Sequence, residues 1–240
     1  MRSEILILKW EKMNNNYISL SDIKKLETKI DDIYHYDDKI FISFKNCNLR
    51  PTAGGQLYDK GKFYNGSWWN IKEVIQKNNK ILCLVDAKEK NFNVNDTVLI
   101  DLDYERRKSI SRMHSAIHLI SYLNNDQMTN GHAGYAKSRI DFRGDIKKFE
   151  KLFLKIQNNL KNIIKERKNI VVKYLSSSEI KNVKEFRHTN SLIYRVVEIE
   201  NYGTSMCYGT HVNNTEEIGE IFFDKPIPVK EDIYKINIYI

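Results

Sequence analysis

Two short stretches of the chain bring together side chains able to bind a metal. In HSAIH, His114 and His118 are four residues apart, a spacing that on a helix puts both imidazoles on one face, about one turn from each other. Such a pair alone has two readings: metal ligands, or histidines hydrogen-bonded within a core or an interface. In MCYGTHV, Cys207 and His211 are again four apart, flanked by Gly209 and β-branched residues, the composition of a loop at a strand end. Two imidazoles from a helix, with a thiol and an imidazole from a distant loop, form a donor set of the kind that holds Zn2+ tetrahedrally, one ion per chain. The competing fate of Cys207 is that of a small buried hydrophobe. Ser115 occupies the place where metalloproteases of the HExxH type carry their general base, so that class is excluded.

Such a site needs a helix and a loop folded together. YERRKSISRMHSAIHLISYL places Ile110, Met113, Ile117 and Ile120 at helical intervals, and DIKKFEKLFLKIQNNLKNIIKERKN does the same with Ile146, Phe149, Phe153, Ile156, Leu160 and Ile163. Asp145 is placed as an N-cap of the second helix, and Lys165, Arg167 and Lys168 complement the dipole at its end. Short strands are predicted at 39–47, 61–66, 80–88 and 97–103, punctuated by Gly54-Gly55, Asn65-Gly66 and Asn78-Asn79. LSDIKKLETKI reads either as a short helix or as a charged strand. Further strands are predicted at 170–176, 191–200, 218–223 and 234–240. The expected class is α+β: a β-rich, barrel-like domain over residues 1–102, then helices packed on a largely antiparallel sheet over 103–240. The boundary rests on the change of hydrophobic period.

The chain of 240 residues is long enough for two such cores, and 41% hydrophobic and 11% aromatic residues argue for a folded protein. A formal charge of +8 suits a polyanion such as RNA, although no single basic block carries the excess. MRSEILILKWEKMNNN is broken by Lys9, Glu11 and Lys12, unlike a signal peptide. No stretch approaches the roughly 18 apolar residues of a membrane span. Cys47, Cys83 and Cys207 are an odd number, widely spaced, and form no disulfide framework. A cytosolic protein without membrane partners is expected.

HSAIH together with CYGTHVNNTEEIGEI resembles the H-x-x-x-H and C-x-G-T-H-V-x-x-T-x-E-I-G motifs of the alanyl-tRNA editing family. That family comprises the editing domain of alanyl-tRNA synthetase and its free-standing relatives, the AlaX proteins. SRIDF at 138–142 is similar to the segment LRFDF that follows the His helix there, and RPTAGGQLYDKGKF at 50–63 to a glycine-rich element P-x-G-G-G-Q-P-x-D-x-G. The matches occur in the expected order from residue 50 to about 221, and the length is similar to that of the medium-sized free-standing form. Ala53 replaces the first glycine of the triplet, Leu57 a proline, and Tyr208 a second glycine. Leu57 and Tyr208 are bulkier than what they replace, which bears on pocket shape.

The resemblance implies an ATP-independent hydrolase of translation fidelity. It would cleave the ester joining a wrong amino acid, chiefly serine and in some forms glycine, to tRNA(Ala). A pocket sized for alanine rejects these neighbours poorly, so a second site must destroy the product. His114, His118, Cys207 and His211 would hold zinc. With all four bound the metal is structural or orients substrate; with His211 as a looser ligand a position opens for water, or His211 is itself the base. Gly54, Gly55, Gln56, Asp59 and Gly61 would form a tight loop near the site or the tRNA end. Thr210 and Thr215 are either helpers or local backbone partners, and Asp141 either orients a ligand histidine or is an ordinary surface residue. Candidates for tRNA contact are Arg106, Arg107, Lys108, Arg112, Lys137, Arg139 and the basic run Lys165 to Lys168, each equally readable as a solvated face. Two alternatives stand beside the editing enzyme: a non-catalytic RNA-binding module stapled by zinc, and the editing domain of threonyl-tRNA synthetase. Oligomeric state is not legible.

Overall fold

Where apolar residues alternate with charged ones, the first half of the chain forms strands that bury one face. A computed structural model describes residues 23–86, 92–124, 128–180, 183 and 193–240, with backbone alone at 146–149 and 151–152. The leading stretch 1–16 and the side chains of Ile146 and Phe149 therefore lie outside the described residues. Six strands, β1 (Lys25–Tyr36), β2 (Lys39–Phe44), β3 (Gly61–Asn65), β4 (Ser67–Lys77), β5 (Lys80–Val85) and β6 (Thr97–Leu102), close into an antiparallel barrel in the order β1-β2-β5-β4-β3-β6. Ile30, Ile42, Phe63, Val74, Cys83 and Ile100 fill it. The ambiguous segment near residue 25 is thus a strand: Leu26, Thr28 and Ile30 alternate with exposed Lys25, Glu27 and Lys29. Strand β4 carries a bulge between Ile71 and Glu73 against β5, which breaks its alternation and hides it from a period-two reading.

The predicted helices form as α1 (Tyr104–Leu123) and α2 (Ile146–Lys165). Around them run β7 (Met128–His132), β8 (Ser138–Arg143), β9 (Ile170–Ser176), β10 (Ile193–Ile199), β11 (Gly203–Met206), β12 (Phe222–Phe223), β13 (Ile227–Lys230) and β14 (Ile233–Tyr239). They make two antiparallel sheets, β11-β10-β9 and β12-β14-β8-β7, with β13 beside β14. Ile110, Met113, Ile117 and Ile120 of α1, and Phe153, Ile156, Leu160 and Ile163 of α2, share a core with Ile140, Val197 and Ile236 from the sheets. The class is α+β with a leading barrel, as the sequence predicts. One prediction fails in part: within 218–223 only Phe222–Phe223 is strand. Asn214 instead caps a 3-10 turn, Thr215–Ile218, which Gly219 ends at φ 74°.

The chain divides into two compact units, one of Tyr58–Arg107 with the described residues up to Ala53, the other of Gly54–Leu57 with Lys108–Ile240. No described helix is long and apolar enough to cross a membrane.

Candidate metal centre

Beside the apolar stripe of α1 run Ser111, His114, Ser115 and His118, residues three and four apart that stack along one side of a helix. The loop after β11 supplies the rest. His114, His118, Cys207 and His211 offer ligand atoms that all lie within 4.8 Å of one another. Cys207 Sγ is 3.6 Å from His114 Nε2 and 3.3 Å from His211 Nε2. A tetrahedral zinc with ordinary Zn–N and Zn–S bonds requires N···S edges of about 3.5 Å. Two N···S distances match that edge, and all four predicted ligands are gathered within 4.8 Å.

Hydrogen bonds from the outer side of two rings fix which nitrogen faces inward. His114 Nδ1 lies 3.0 Å from Gln56 Oε1, an oxygen that also accepts from the Thr210 backbone N–H at 2.9 Å. An amide oxygen only accepts, so His114 carries its proton on Nδ1 and turns the Nε2 lone pair toward the sulfur. His211 Nδ1 meets Ser115 Oγ at 3.1 Å, and that hydroxyl also receives the Val212 N–H at 3.2 Å. A buried thiol is ordinarily raised by desolvation; here the fields of His114, His211 and His118 outweigh burial and hold Cys207 well below its usual value. The Gly209 N–H donates to the same sulfur at 3.3 Å. Burial, reinforced by His114, lowers His211 to about 3, so its imidazole is neutral at physiological pH. A thiolate and two imidazole lone pairs converging in a buried space fit a cation.

The backbone is shaped for this approach. A Cβ at Gly209 would overlap the His114 ring and the Gln56 amide, which is why glycine follows Tyr208. Gln56 arrives on a short strip paired with Ala133 in parallel, through Ala133 N–H to Gly55 O at 2.7 Å and Leu57 N–H to Ala133 O at 3.1 Å. Gly55, at φ 74°, comes so close to the Gly131 carbonyl that a side chain would strike it. On the other flank Arg195, buried in β10, donates from Nη1 to the Cys207 carbonyl, while the Cys207 N–H returns to the Arg195 carbonyl at 3.3 Å. Nothing in the spacing of IYRVVEI pointed to Arg195; an arginine inside an apolar strand was the available signal.

Other candidates are placed elsewhere. Thr210 Oγ1 accepts from Gln56 Nε2 at 2.8 Å and from Ser111 Oγ at 2.7 Å, beside the cluster. Thr215 bonds backbone, but not its local backbone: it donates to the Ile163 carbonyl at 2.8 Å and accepts from Lys168 N–H at 3.0 Å, tying its turn to the end of α2. Asp141 is held by Arg139 at 2.7 and 2.6 Å rather than by a ligand histidine. Asp59 and Arg107 form an ion pair in the first unit and are 0% and 3% exposed, which leaves them no surface for tRNA. Gly61 begins β3. Arg106 lies against Tyr58, its Nη2 donating to the Tyr58 carbonyl at 3.3 Å. Arg112 donates to the Ile218 carbonyl at 3.0 Å. Lys108, Lys137 and Lys165 are exposed, whereas Arg167 and Lys168 pair with Glu216 and Glu166 at 3.3 and 3.5 Å.

Comparison with known proteins gives these residues a context. Residues 194–226, which include Cys207 and His211, match the family model described as threonyl and alanyl tRNA synthetase second additional domain. Alanine–tRNA ligases of Endomicrobium trichonymphae and Clostridioides difficile are each 31% identical, over 74% and 76% of this chain. The chain spans only 22% of the length of either ligase. The alanyl-tRNA editing protein AlaX-M of Methanosarcina barkeri is 29% identical over 82% of this chain and 86% of its own length. Over most of its own length and most of the relative's, the chain is thus similar to a free-standing alanyl-tRNA editing protein.

Proposed function

We propose that the chain is an aminoacyl-tRNA deacylase that hydrolyses the ester of a wrong amino acid on tRNA(Ala), chiefly serine and also glycine, at a zinc site in the second unit. The observation that carries this reading is the convergence of three imidazoles and a thiolate, tautomers set, in a chain that covers most of an alanyl-tRNA editing protein. His114, His118, Cys207 and His211 hold the ion, which when bound supplies a Lewis acid beside the ester.

The surrounding residues orient and select. Gln56 and Ser115 keep the His114 and His211 rings turned with Nε2 inward. His118 and His211 are only half-buried, so the ester approaches from their side. A base is most effective near the working pH, and a value of about 3 makes His211 a weak one; this supports His211 as a ligand. Thr210 Oγ1 already accepts two hydrogen bonds, which leaves its own proton for an oxygen of the substrate. Such a donor favours a seryl hydroxyl over the methyl of alanine, the discrimination an editing site requires.

A deacylation panel of Ser-, Gly- and Ala-tRNA(Ala) with Ser-tRNA(Thr), with and without chelator, tests the reading. Hydrolysis of Ser-tRNA(Ala), sparing Ala-tRNA(Ala) and lost with the metal, is expected. Metal-bound protein inert on every charged tRNA would reduce the site to a staple, and preference for Ser-tRNA(Thr) would reassign the substrate.

A further inference from the structure

The barrel unit presents a surface that neither its core nor its ion pairs explain. Phe63 points into the barrel, so Lys62 and Tyr64 point out of β3; across the hairpin they face Asn70 and Trp68 of β4. The Tyr64 and Trp68 rings lie 5.3 Å apart, and Lys62 Nζ stands 4.4 Å from the Trp68 ring centre. Cross-strand pairing accounts for the contact. It does not account for leaving the two rings 43% and 47% exposed.

A cleft of about 480 Å3 adjoins them through Lys62 and Asn70, and Lys24, Lys60 and Lys72 also line it. Asp101, Asp103 and Glu105 contribute carboxylates to the same cleft. Lys72 pairs with Asp86 at 2.9 Å. Among the described residues Lys24, Lys60 and Lys62 have no ion-pair partner. Two other lysines stand over rings of β1: Lys80, 5.9 Å from the Tyr34 ring centre, is bound by Asp31 and Asp32 at 3.1 and 3.6 Å, and Lys77, 4.6 Å from the Tyr36 ring centre, meets a single exposed ring. The hairpin face sets two exposed rings side by side next to lysines that no carboxylate pairs within ion-pair distance, the combination that takes a base on an aromatic platform and its phosphates on cations.

We propose that the β3–β4 face of the barrel binds single-stranded RNA, with an unpaired base stacked on Trp68 and Tyr64 and the flanking phosphates held by Lys24, Lys60 and Lys62. The choice of RNA rests on the reading of the chain as a tRNA deacylase, but the test does not require hydrolysis. Binding of unacylated tRNA(Ala) and of a short single-stranded oligonucleotide to the full chain is measured by fluorescence anisotropy. Trp68→Ala with Tyr64→Ala weakens both by about tenfold or more, while Trp68→Phe with Tyr64→Phe keeps most of the affinity. KM for charged tRNA rises by the same factor and kcat does not change. Lys60→Ala with Lys62→Ala flattens the salt dependence of binding. Wild-type affinity in the alanine pair, or competition by a blunt RNA duplex as effective as by the single strand, overturns the proposal. Loss of RNA binding in the alanine pair of a chain that hydrolyses nothing would sink the deacylase reading and leave this surface standing. Intact binding in a chain that edits normally would do the reverse.

Discussion

Each unit buries a polar constellation drawn from the motifs, and the two end differently. In the barrel unit Asp59 accepts from the Arg50 backbone N–H at 2.6 Å and from Arg107 Nε at 3.1 Å, while Arg107 also donates to the Asn48 carbonyl at 2.5 Å. Charges of opposite sign and donors matched to acceptors close that network on itself. In the second unit a lowered thiol and imidazole nitrogens converge on one another, an arrangement that a metal cation would complete. Burial of polar side chains is common to both; the sign of what they leave over separates structure from chemistry.

The largest effect tests the open constellation directly. Cys207→Ala and His118→Ala each remove a ligand, and we expect loss of stoichiometric zinc by elemental analysis together with loss of Ser-tRNA(Ala) deacylation. Full activity in a metal-free variant would break the comparison at its root. The closed constellation gives the next largest effect and a different readout. Arg107→Ala strands Asp59 without its guanidinium and costs about 3–5 kcal/mol of stability, seen as a lower denaturation midpoint. Its zinc content below the transition stays at one per chain.

Acid acts on the open constellation as well. The His211 value of about 3 in the folded protein is depressed from 6.5, because burial and His114 oppose its charge. The unfolded chain therefore binds more protons, and the contribution is present above about pH 6.5 and lost as pH falls toward 3. Between pH 7.5 and 5 this group costs the metal-free protein about 2 kcal/mol, and protons compete with zinc in the same direction. Denaturant titrations of metal-free wild type and His211→Gln measure the difference. A variant that loses as much stability as wild type over that range would show that another group carries the pH dependence.

What the sequence disclosed follows from the kind of physics involved. Helices α1 and α2 were legible because each buries one stripe at constant period. Strand β1 was ambiguous because Leu26 and Ile30 are spaced for either a helix or a strand; the β4 bulge displaced Ile71 and Val74 from strict alternation. The four members of the His/Cys cluster were legible, since histidine and cysteine at turn spacing are uncommon and chemically specific. Their supports were not. Gln56 appeared only as part of a glycine-rich loop, Ser115 only as the absence of a glutamate, and Asp141 either as a carboxylate beside a histidine or as an ordinary surface residue. Each of those roles depends on a partner 58 or more residues away, or, for Asp141, on Arg139 two positions before it. Local pattern cannot choose among such partners.

The smallest predicted effect falls on those supports. Gln56→Ala removes the acceptor of the His114 Nδ1 proton and of the Thr210 N–H, leaving all four ligands in place. Losses of this type weaken metal binding by about 10–100-fold. The lower figure is expected here, because Ser115 still holds His211 and the vacated space admits water to the Thr210 N–H. Ser115→Ala acts on the other ring in the same way, and because Gln56 and Ser115 support different histidines, their effects on zinc affinity should nearly add. Competition with a chelating dye reads both, and Gln56→Glu sharpens the result: a carboxylate accepts the same proton, so affinity should be kept or raised while the bond to Thr210 Oγ1, which needs a donor, is lost. If Gln56→Glu binds zinc normally yet loses preference for serine over alanine, one residue supports the metal through its oxygen and selectivity through its nitrogen. If Gln56→Ala binds zinc like wild type, the inward tautomer of His114 is fixed by the ion itself, and the second constellation needs no support beyond its ligands.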